Sequence, residues 1–319
     1  MMDWAYIVVG LVVLTGGAEL LIRGATALAR RFGLSELLIG LTLVGFGTST
    51  PELVSSIQAA MMGSPGVAVG NVVGSNIANI LLILGLSALI APIVVESKAF
   101  KRDAPTLAIA TLMMIGVSMT GGFGRISGLL FLVALGLYIA LAYLTERAKP
   151  GEAEAERHEA EAAELPTGPR SPLLDAVLVA IGLGLLMFGA KLLVGGAINI
   201  ASTLGVSETV IGLTIVAVGT SLPELVTSMM AALRGKSALA LGNVVGSNLY
   251  NILGIIGVTA AMHPLEAPQE IVVFDNWVML GATAALIVFA FSRNRIGRIE
   301  GFALTAGYAL YLIWLVVKA

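Results

Sequence analysis

The chain has 319 residues, of which 57% are hydrophobic and only 12% are charged, and its net charge is −2. Soluble domains carry about 25% charged residues, so this chain has too few polar residues to cover a water-facing surface. It contains no cysteine, which excludes disulfide bonds and thiolate metal sites. Continuous apolar runs of about 20 residues recur along the whole chain and do not alternate with polar residues, which predicts membrane-spanning helices rather than barrel strands.

Taken in chain order, these apolar runs predict ten membrane spans. The first begins at Trp4; because it is too long for a signal-peptide core and no basic segment precedes it, we interpret it as a retained span. The ten predicted spans cover residues 4–29, 36–62, 67–91, 104–121, 125–146, 172–200, 207–233, 238–261, 272–292 and 299–317.

Nearly all loop cations fall on alternate connections between these spans. The positive-inside rule therefore places those connections in the cytoplasm and both termini outside the cell, in a multi-pass protein of the cell membrane. A missed span would disturb this regularity, so the charges also support the count of ten. The cations on these connections are Arg30, Arg31, Lys98, Lys101, Arg102, Arg147, Lys149, Arg157, Arg170, Arg234, Lys236, Arg293, Arg295 and Arg298.

The connection at 147–171 divides the chain into a first half at 1–146 and a second at 172–319. It holds six glutamates between Glu152 and Glu164, followed by two prolines and a glycine. A regulatory calcium site is one interpretation, but a calcium loop needs Asp, Gly and carbonyl ligands at fixed turns. A solvated acidic linker on the cytoplasmic side is favoured.

The two halves are related by an internal repeat. The segment GLTLVGFGTSTPE at Gly40–Glu52 returns as GLTIVAVGTSLPE at Gly212–Glu224. The segment GNVVGSN at Gly70–Asn76 returns at Gly242–Asn248, displaced along the chain by the same offset, which we call the repeat offset. Since each predicted half has five spans, an odd number, the second half enters the membrane from the opposite side. The prediction is therefore an all-α membrane protein of ten helices in two inverted five-helix repeats, an architecture typical of transporters.

Each repeat places a proline and a carboxylate inside one predicted span. Pro51 removes the N–H that would bond the carbonyl of Gly47, and Pro223 does the same to Gly219, so both helices are expected to break there. The proline also disfavours helical geometry at the residue before it. Glu52 directly follows Pro51, and a carboxylate inside a membrane is costly and usually functional. Its equivalent is Glu224, and no basic residue recurs beside the pair, so a bound cation is the natural counter-charge.

Neutral oxygen donors surround both glutamates in the sequence. Hydroxyl, amide and freed carbonyl oxygens with two carboxylates suit a hard cation such as calcium or sodium, whereas zinc and copper prefer other ligands. We expect Asn71, Asn76, Asn243 and Asn248 either to cap the broken helices or to bond between helices. We expect the Gly70/Gly74 and Gly242/Gly246 pairs to allow close helix packing, and Glu19, Arg23 and Lys191 to be paired or gating residues. The neutral donors are Thr48, Ser49, Ser75, Asn79, Thr220, Ser221, Ser247 and Asn251.

The duplicated Gly-Thr-Ser-x-Pro-Glu and Gly-Asn-Val-Val-Gly-Ser-Asn motifs resemble the alpha repeats of the calcium/cation antiporter superfamily, in particular the prokaryotic sodium/calcium exchangers. The resemblance implies that Glu52 and Glu224 serve both calcium and sodium sites, and that spans one and six slide across a rigid core. Some relatives carry Asp where this chain has Asn251, which weakens the case for potassium co-transport. The cation ligands that the resemblance implies are Thr48, Ser49, Glu52, Ser75, Asn79, Thr220, Ser221, Glu224, Ser247 and Asn251.

The function predicted from these observations is a secondary antiporter that exchanges calcium for sodium and works as a carrier, not an enzyme. Its partners are the lipid bilayer and the two transported ions, with no cofactor and no nucleic acid; protein partners cannot be read from the sequence. The alternative within the same fold is a proton/calcium exchanger. A cation channel is disfavoured because channels usually obtain their symmetry from oligomers. An intramembrane hydrolase is disfavoured because no second catalytic constellation accompanies the motifs.

Overall fold

The computed structural model describes residues 2–95, 97–147, 171–204 and 217–318, and these are almost entirely helical. Most of the acidic linker and the first part of the predicted seventh span lie outside the described residues. The described helices are α1 Met2–Phe32, α2 Glu36–Thr48, α3 Thr50–Met61, α4 Pro65–Ile90, α5 Ser97–Ser118, α6 Arg125–Arg147, α7 Pro172–Thr203, α8 Ala217–Thr220, α9 Leu222–Leu233, α10 Ser237–Met262, α11 Ile271–Arg293 and α12 Arg298–Lys318.

Seven of the helices in the described part of the chain are long and apolar enough to cross a membrane. The bent pair of α2 and α3 makes an eighth span if it is counted as one. Helix α5 is not among them because its first turns carry Lys101, Arg102 and Asp103. Helix α9 has only 12 described residues. A multi-pass helical membrane protein is therefore confirmed, whereas ten spans in two inverted repeats stays a prediction.

Helices α1 and α7 pack against each other along a seam of regularly spaced glycines. A Cβ atom on Gly17 would lie 2.9 Å from the carbonyl oxygen of Gly182 and 2.9 Å from the amide nitrogen of Leu186. The two antiparallel backbones are thus in direct contact, which only residues without side chains allow. The seam glycines are Gly10, Gly17 and Gly24 on α1 and Gly182, Gly189 and Gly196 on α7.

Polar contacts hold both ends of this helix pair. Asn199 donates a hydrogen bond to Asp3 over 2.9 Å. At the other end, the Arg31 guanidinium lies 3.2 Å from the buried carboxylate of Asp175. Asp3 and Asp175 are separated by the repeat offset, so the repeat supplies the acceptor at each end. The glycine seam fixes the distance between α1 and α7, and the polar contacts at its two ends fix their register. The two helices therefore form one packed unit.

We expect Gly17→Ala to destabilise the protein by about 1–3 kcal/mol, since the added methyl group overlaps the backbone of α7. Gly16→Ala is the matched control, because a Cβ on Gly16 meets no atom within 4 Å. Thermal unfolding in detergent should show a lower midpoint for Gly17→Ala alone. Equal midpoints for the two variants would show that the seam does not determine stability.

Two short antiparallel ribbons join the halves of the chain. Strand β1, Ile93–Val94, pairs with β4, Arg295–Ile296, and β2, Gly122–Phe123, pairs with β3, Leu265–Glu266. Each ribbon takes one strand from each half. Each also connects two loops that the charge pattern assigns to the same side of the membrane, so the pairing agrees with the predicted topology.

Outer helices are fastened by a duplicated Asp–Tyr hydrogen bond that the sequence reasoning missed. The Tyr138 hydroxyl on α6 donates to Asp103 on α5 over 3.0 Å. The Tyr311 hydroxyl on α12 donates to Asp275 on α11 over 2.9 Å. The two aspartates are separated by the repeat offset, which is the signal that could have identified them.

Candidate cation-binding site

The first predicted break occurs between α2 and α3. The helix axis bends by 44° there, and Ser49 leaves helical geometry with φ −83° and ψ 9°. The break falls at Ser49 and not at Thr50, the residue preceding Pro51. The reason is that Pro51 occupies the first turn of α3, where a missing N–H costs no helical bond.

The second motif repeats this geometry. Ser221 separates α8 from α9 with φ −90° and ψ 11°, and Pro223 lies in the first turn of α9. Leu222 precedes Pro223 and was therefore expected to leave helical geometry. As in the first motif, the non-helical residue lies one position earlier. Both glutamates consequently lie in the first turn of a new helix, where the helix dipole favours negative charge.

The two breaks are brought together by the close approach of α2 and α10. A Cβ atom on Gly45 would lie 2.9 Å from the amide nitrogen of Ser247, and one on Gly246 would overlap the backbone of Leu41. This confirms close packing for Gly242 and Gly246. The equivalent glycine of the first motif is not closely packed, because a Cβ on Gly74 meets no atom within 4 Å.

The carboxylates of the two halves meet at this crossing. Ser49 donates a hydrogen bond to Glu224 over 2.8 Å, and Ser221 donates to Glu52 over 3.3 Å. Each serine therefore contacts the glutamate of the other half. Both glutamate side chains are buried, with 1% of each residue exposed. The structure thus brings these four residues together.

Two asparagines anchor the helices that carry the glutamates. Asn71 donates to the backbone carbonyl of Glu52 over 3.2 Å and to Ser56 over 2.9 Å. Asn243 repeats both contacts, with the Glu224 carbonyl at 3.3 Å and with Ser228 at 2.8 Å. These bonds between helices fix the positions of the carboxylates. The sequence reasoning missed the serines, although each lies one helical turn after its glutamate.

Asn79 and Asn251 lie at π-helical turns of α4 and α10, which cover Asn79–Leu84 and Tyr250–Ile255. Such turns are rare and are frequent at functional sites. The Asn79 amide nitrogen donates to the side-chain oxygen of Asn248 over 3.2 Å, so the Asn79 oxygen faces elsewhere. Asn251 is buried with no hydrogen bond to its side chain from any described residue.

Four buried acceptor oxygens of the predicted ligands have no hydrogen-bond donor among the described residues. They are one carboxylate oxygen each of Glu52 and Glu224 and the amide oxygens of Asn79 and Asn251. Buried polar atoms almost always have a partner, so these unpartnered oxygens call for a ligand. A bound cation would be a partner for these four acceptors, while the Asn251 amide nitrogen, a donor, also has no partner among the described residues.

The remaining predicted ligands are linked to this cluster to different degrees. Thr48 donates to the Asn243 side-chain oxygen over 3.2 Å, and Ser247 donates to the Gly45 carbonyl over 3.2 Å. Both therefore lie at the crossing. Ser75 is buried and Thr220 is half-buried. Their roles as ligands remain predictions.

No basic side chain in the described part of the chain neutralises the two glutamates. None of the ion pairs found there includes Glu52 or Glu224. No group of three or more His, Asp or Glu side chains that could hold a metal is found within those residues either. The charge of the site therefore comes from two carboxylates, and the rest of a coordination shell has to be neutral oxygen.

A multi-pass helical bundle with two buried carboxylates, neutral oxygens and broken helices defines a membrane cation transporter. The family model described as sodium/calcium exchanger protein matches residues 2–144 and 174–317. The chain belongs to this sodium/calcium exchanger family of antiporters.

Relatives of known sequence and structure agree with this membership. The chain is 40% identical over 311 residues to a putative antiporter, CaxA, of Alkalimonas amylolytica, covering 96% of each chain. It is 33% identical to the sodium/calcium exchanger MaX1 of Methanosarcina acetivorans, over 98% of this chain and 97% of the relative. A solved structure of the sodium-calcium exchanger NCX_Mj superposes with a TM-score of 0.80 at 34% identity, covering 98% of both chains.

Proposed function

We propose that this protein exchanges calcium for sodium across the cell membrane, and that both ions compete for the site between the two helix breaks. The observation that carries the proposal is the set of four unpartnered buried oxygens on Glu52, Glu224, Asn79 and Asn251. The similarity to MaX1 and NCX_Mj, which are sodium/calcium exchangers, supports this choice of ions.

The composition of the site suits one calcium ion. Calcium takes six to eight oxygen ligands, including carboxylates. Glu52 and Glu224 supply the charge that one divalent ion neutralises. Thr48, Ser49, Ser75, Asn79, Thr220, Ser221, Ser247 and Asn251 are the proposed neutral ligands. Sodium ions would use overlapping oxygens, with two positive charges balancing the same carboxylates.

Competition for one set of oxygens also couples the two fluxes. Without a bound cation, two carboxylates would remain uncompensated in a medium of low dielectric, which is costly. That cost opposes movement of the empty protein between its inward-open and outward-open forms. Only loaded forms then cross, so calcium moves one way for sodium moving the other.

Two inverted five-helix repeats and external termini complete the proposal. The arrangement would give two similar halves whose exchange of roles opens the site to each side in turn. The contacts duplicated at the repeat offset, such as Asn71 with Glu52 and Asn243 with Glu224, support it. With Asn251 the site has two carboxylates and not three, which supports a plain sodium/calcium cycle without potassium.

The proposal is tested by calcium-45 uptake into proteoliposomes loaded with sodium, potassium or an acidic buffer. We expect uptake only when an outward sodium gradient is present. Uptake driven by the proton gradient would establish the alternative proton/calcium exchanger. Uptake without any counter-ion gradient would indicate a channel, because a channel needs no exchanged ion.

A further inference from the structure

Glu19 and Lys191 occupy equivalent positions in the two repeats, separated by the repeat offset, but carry opposite charges. Each lies well inside a long apolar helix, Glu19 on α1 and Lys191 on α7. Each also lines a cavity beside the motif helices. Charged side chains inside membrane helices are costly and usually functional, so both positions need an explanation.

The charge of Glu19 is balanced within its own cavity. This cavity of about 470 Å³ lies between α1 and α9. The Glu19 carboxylate lies 2.6 Å from Arg23 and 2.7 Å from Arg234. Its partners therefore account for Glu19 as a paired residue.

Lys191 lies in the second cavity, of about 210 Å³, which borders both helix breaks. Pro51 and Pro223, each next to a site glutamate, form part of its wall together with Thr220. The Lys191 side chain is exposed, and it makes no hydrogen bond or ion pair with any residue that the structure describes. Among the described residues, the Lys191 charge therefore has no counter-charge, and it lies on the wall of a cavity that also contacts the two motif prolines.

We propose that the charge of Lys191 weakens cation binding between the two glutamates, by a larger factor for one calcium ion than for one sodium ion. The proposal rests on the proposed function, since it concerns ions bound at that site. Coulomb repulsion scales with the charge of the ion. The repulsion energy for a divalent ion is therefore twice that for a monovalent ion. If Lys191 raises the dissociation constant of one monovalent ion by some factor, it raises that of a divalent ion by the square of this factor.

The scaling gives a test by equilibrium binding of calcium-45 and sodium-22 to the purified protein in detergent. We expect Lys191→Gln to tighten sodium binding roughly 3-fold per ion and calcium binding roughly 10-fold. These factors correspond to the energy of a charge interaction that is screened by solvent. Lys191→Arg keeps the charge and should bind both ions like the wild type. Lys101→Gln removes the same charge from an exposed position near the start of α5 and should also leave both affinities unchanged.

Four results would overturn the proposal. Equal factors for calcium and sodium in Lys191→Gln would indicate a change of shape and not of charge. Unchanged binding in Lys191→Gln would show that the charge does not reach the site. If Lys191→Arg changed the two affinities as much as Lys191→Gln, the effect would come from the packing of the side chain and not from its charge. Wild-type protein that bound neither ion would overturn the proposed function as well, which separates the two failures.

Discussion

Glu52→Gln and Glu224→Gln are each expected to abolish calcium exchange. Removing one carboxylate takes away half the charge that balances a divalent ion, while the other carboxylate stays buried. Loss of one partner from a buried charged contact costs about 2–5 kcal/mol. This corresponds to a roughly 30- to 5,000-fold loss of calcium affinity. Calcium-45 binding to the purified variants measures the affinity, and sodium-driven uptake in proteoliposomes measures the exchange.

Glu266→Gln is the matched control for these variants, because Glu266 is an exposed carboxylate on β3. It should bind and exchange calcium like the wild type. Because Ser221 contacts Glu52 and Ser49 contacts Glu224, we expect similar losses from the two glutamates. Exchange at the normal rate in either Gln variant would contradict the proposed site.

Gly246→Ala is expected to disrupt the site through its packing. The added Cβ would lie 2.5 Å from the Leu41 Cα atom and 2.6 Å from its carbonyl carbon, so α2 and α10 would have to separate. Overpacking of a core costs about 1–3 kcal/mol, occasionally more, and a clash with backbone should fall at the upper end. A lower unfolding midpoint and weaker calcium binding should accompany each other, because the same crossing positions Ser247 and Thr48.

Gly74→Ala offers a close control for this prediction. Gly74 is the repeat equivalent of Gly246 in an identical motif, yet a Cβ there meets no atom within 4 Å. Its unfolding midpoint in detergent should match that of the wild type or exceed it slightly, since Ala favours helix over Gly by about 1 kcal/mol. Equal destabilisation by the two substitutions would show that the helix crossing is not responsible.

The sequence alone predicts much of the fold, because lipid imposes simple constraints on it. Apolar runs and loop cations place most of the described helices close to their structural bounds, as for the predicted 125–146 and the observed Arg125–Arg147. The predicted start of α5 was wrong, because the helix begins at Ser97 and includes charged residues before the predicted start at 104. The site was predictable for a different reason. A proline, two hydroxyls and a carboxylate recur at one offset inside spans, and a carboxylate inside a span is costly and usually functional.

Contacts between the halves could not be predicted, since they depend on how the helices cross. The repeat gives Gly74 and Gly246 the same sequence context, but only the latter packs against backbone. The exchange of hydrogen bonds, in which Ser49 contacts Glu224 and Ser221 contacts Glu52, likewise follows from three-dimensional proximity. The opposite charges of Glu19 and Lys191 are visible in the sequence, but only the structure shows the ion pairs that neutralise Glu19.

Contacts between the two halves can form only late in the synthesis of the chain. Glu52 accepts its side-chain hydrogen bond from Ser221, which is made 169 residues later. At ribosomal rates of about 5–20 residues per second, Ser221 is synthesised roughly 10–30 s after Glu52. Strands β1 and β2 likewise leave the ribosome long before β4 and β3. These contacts of the first half are thus completed only after the second half has been made.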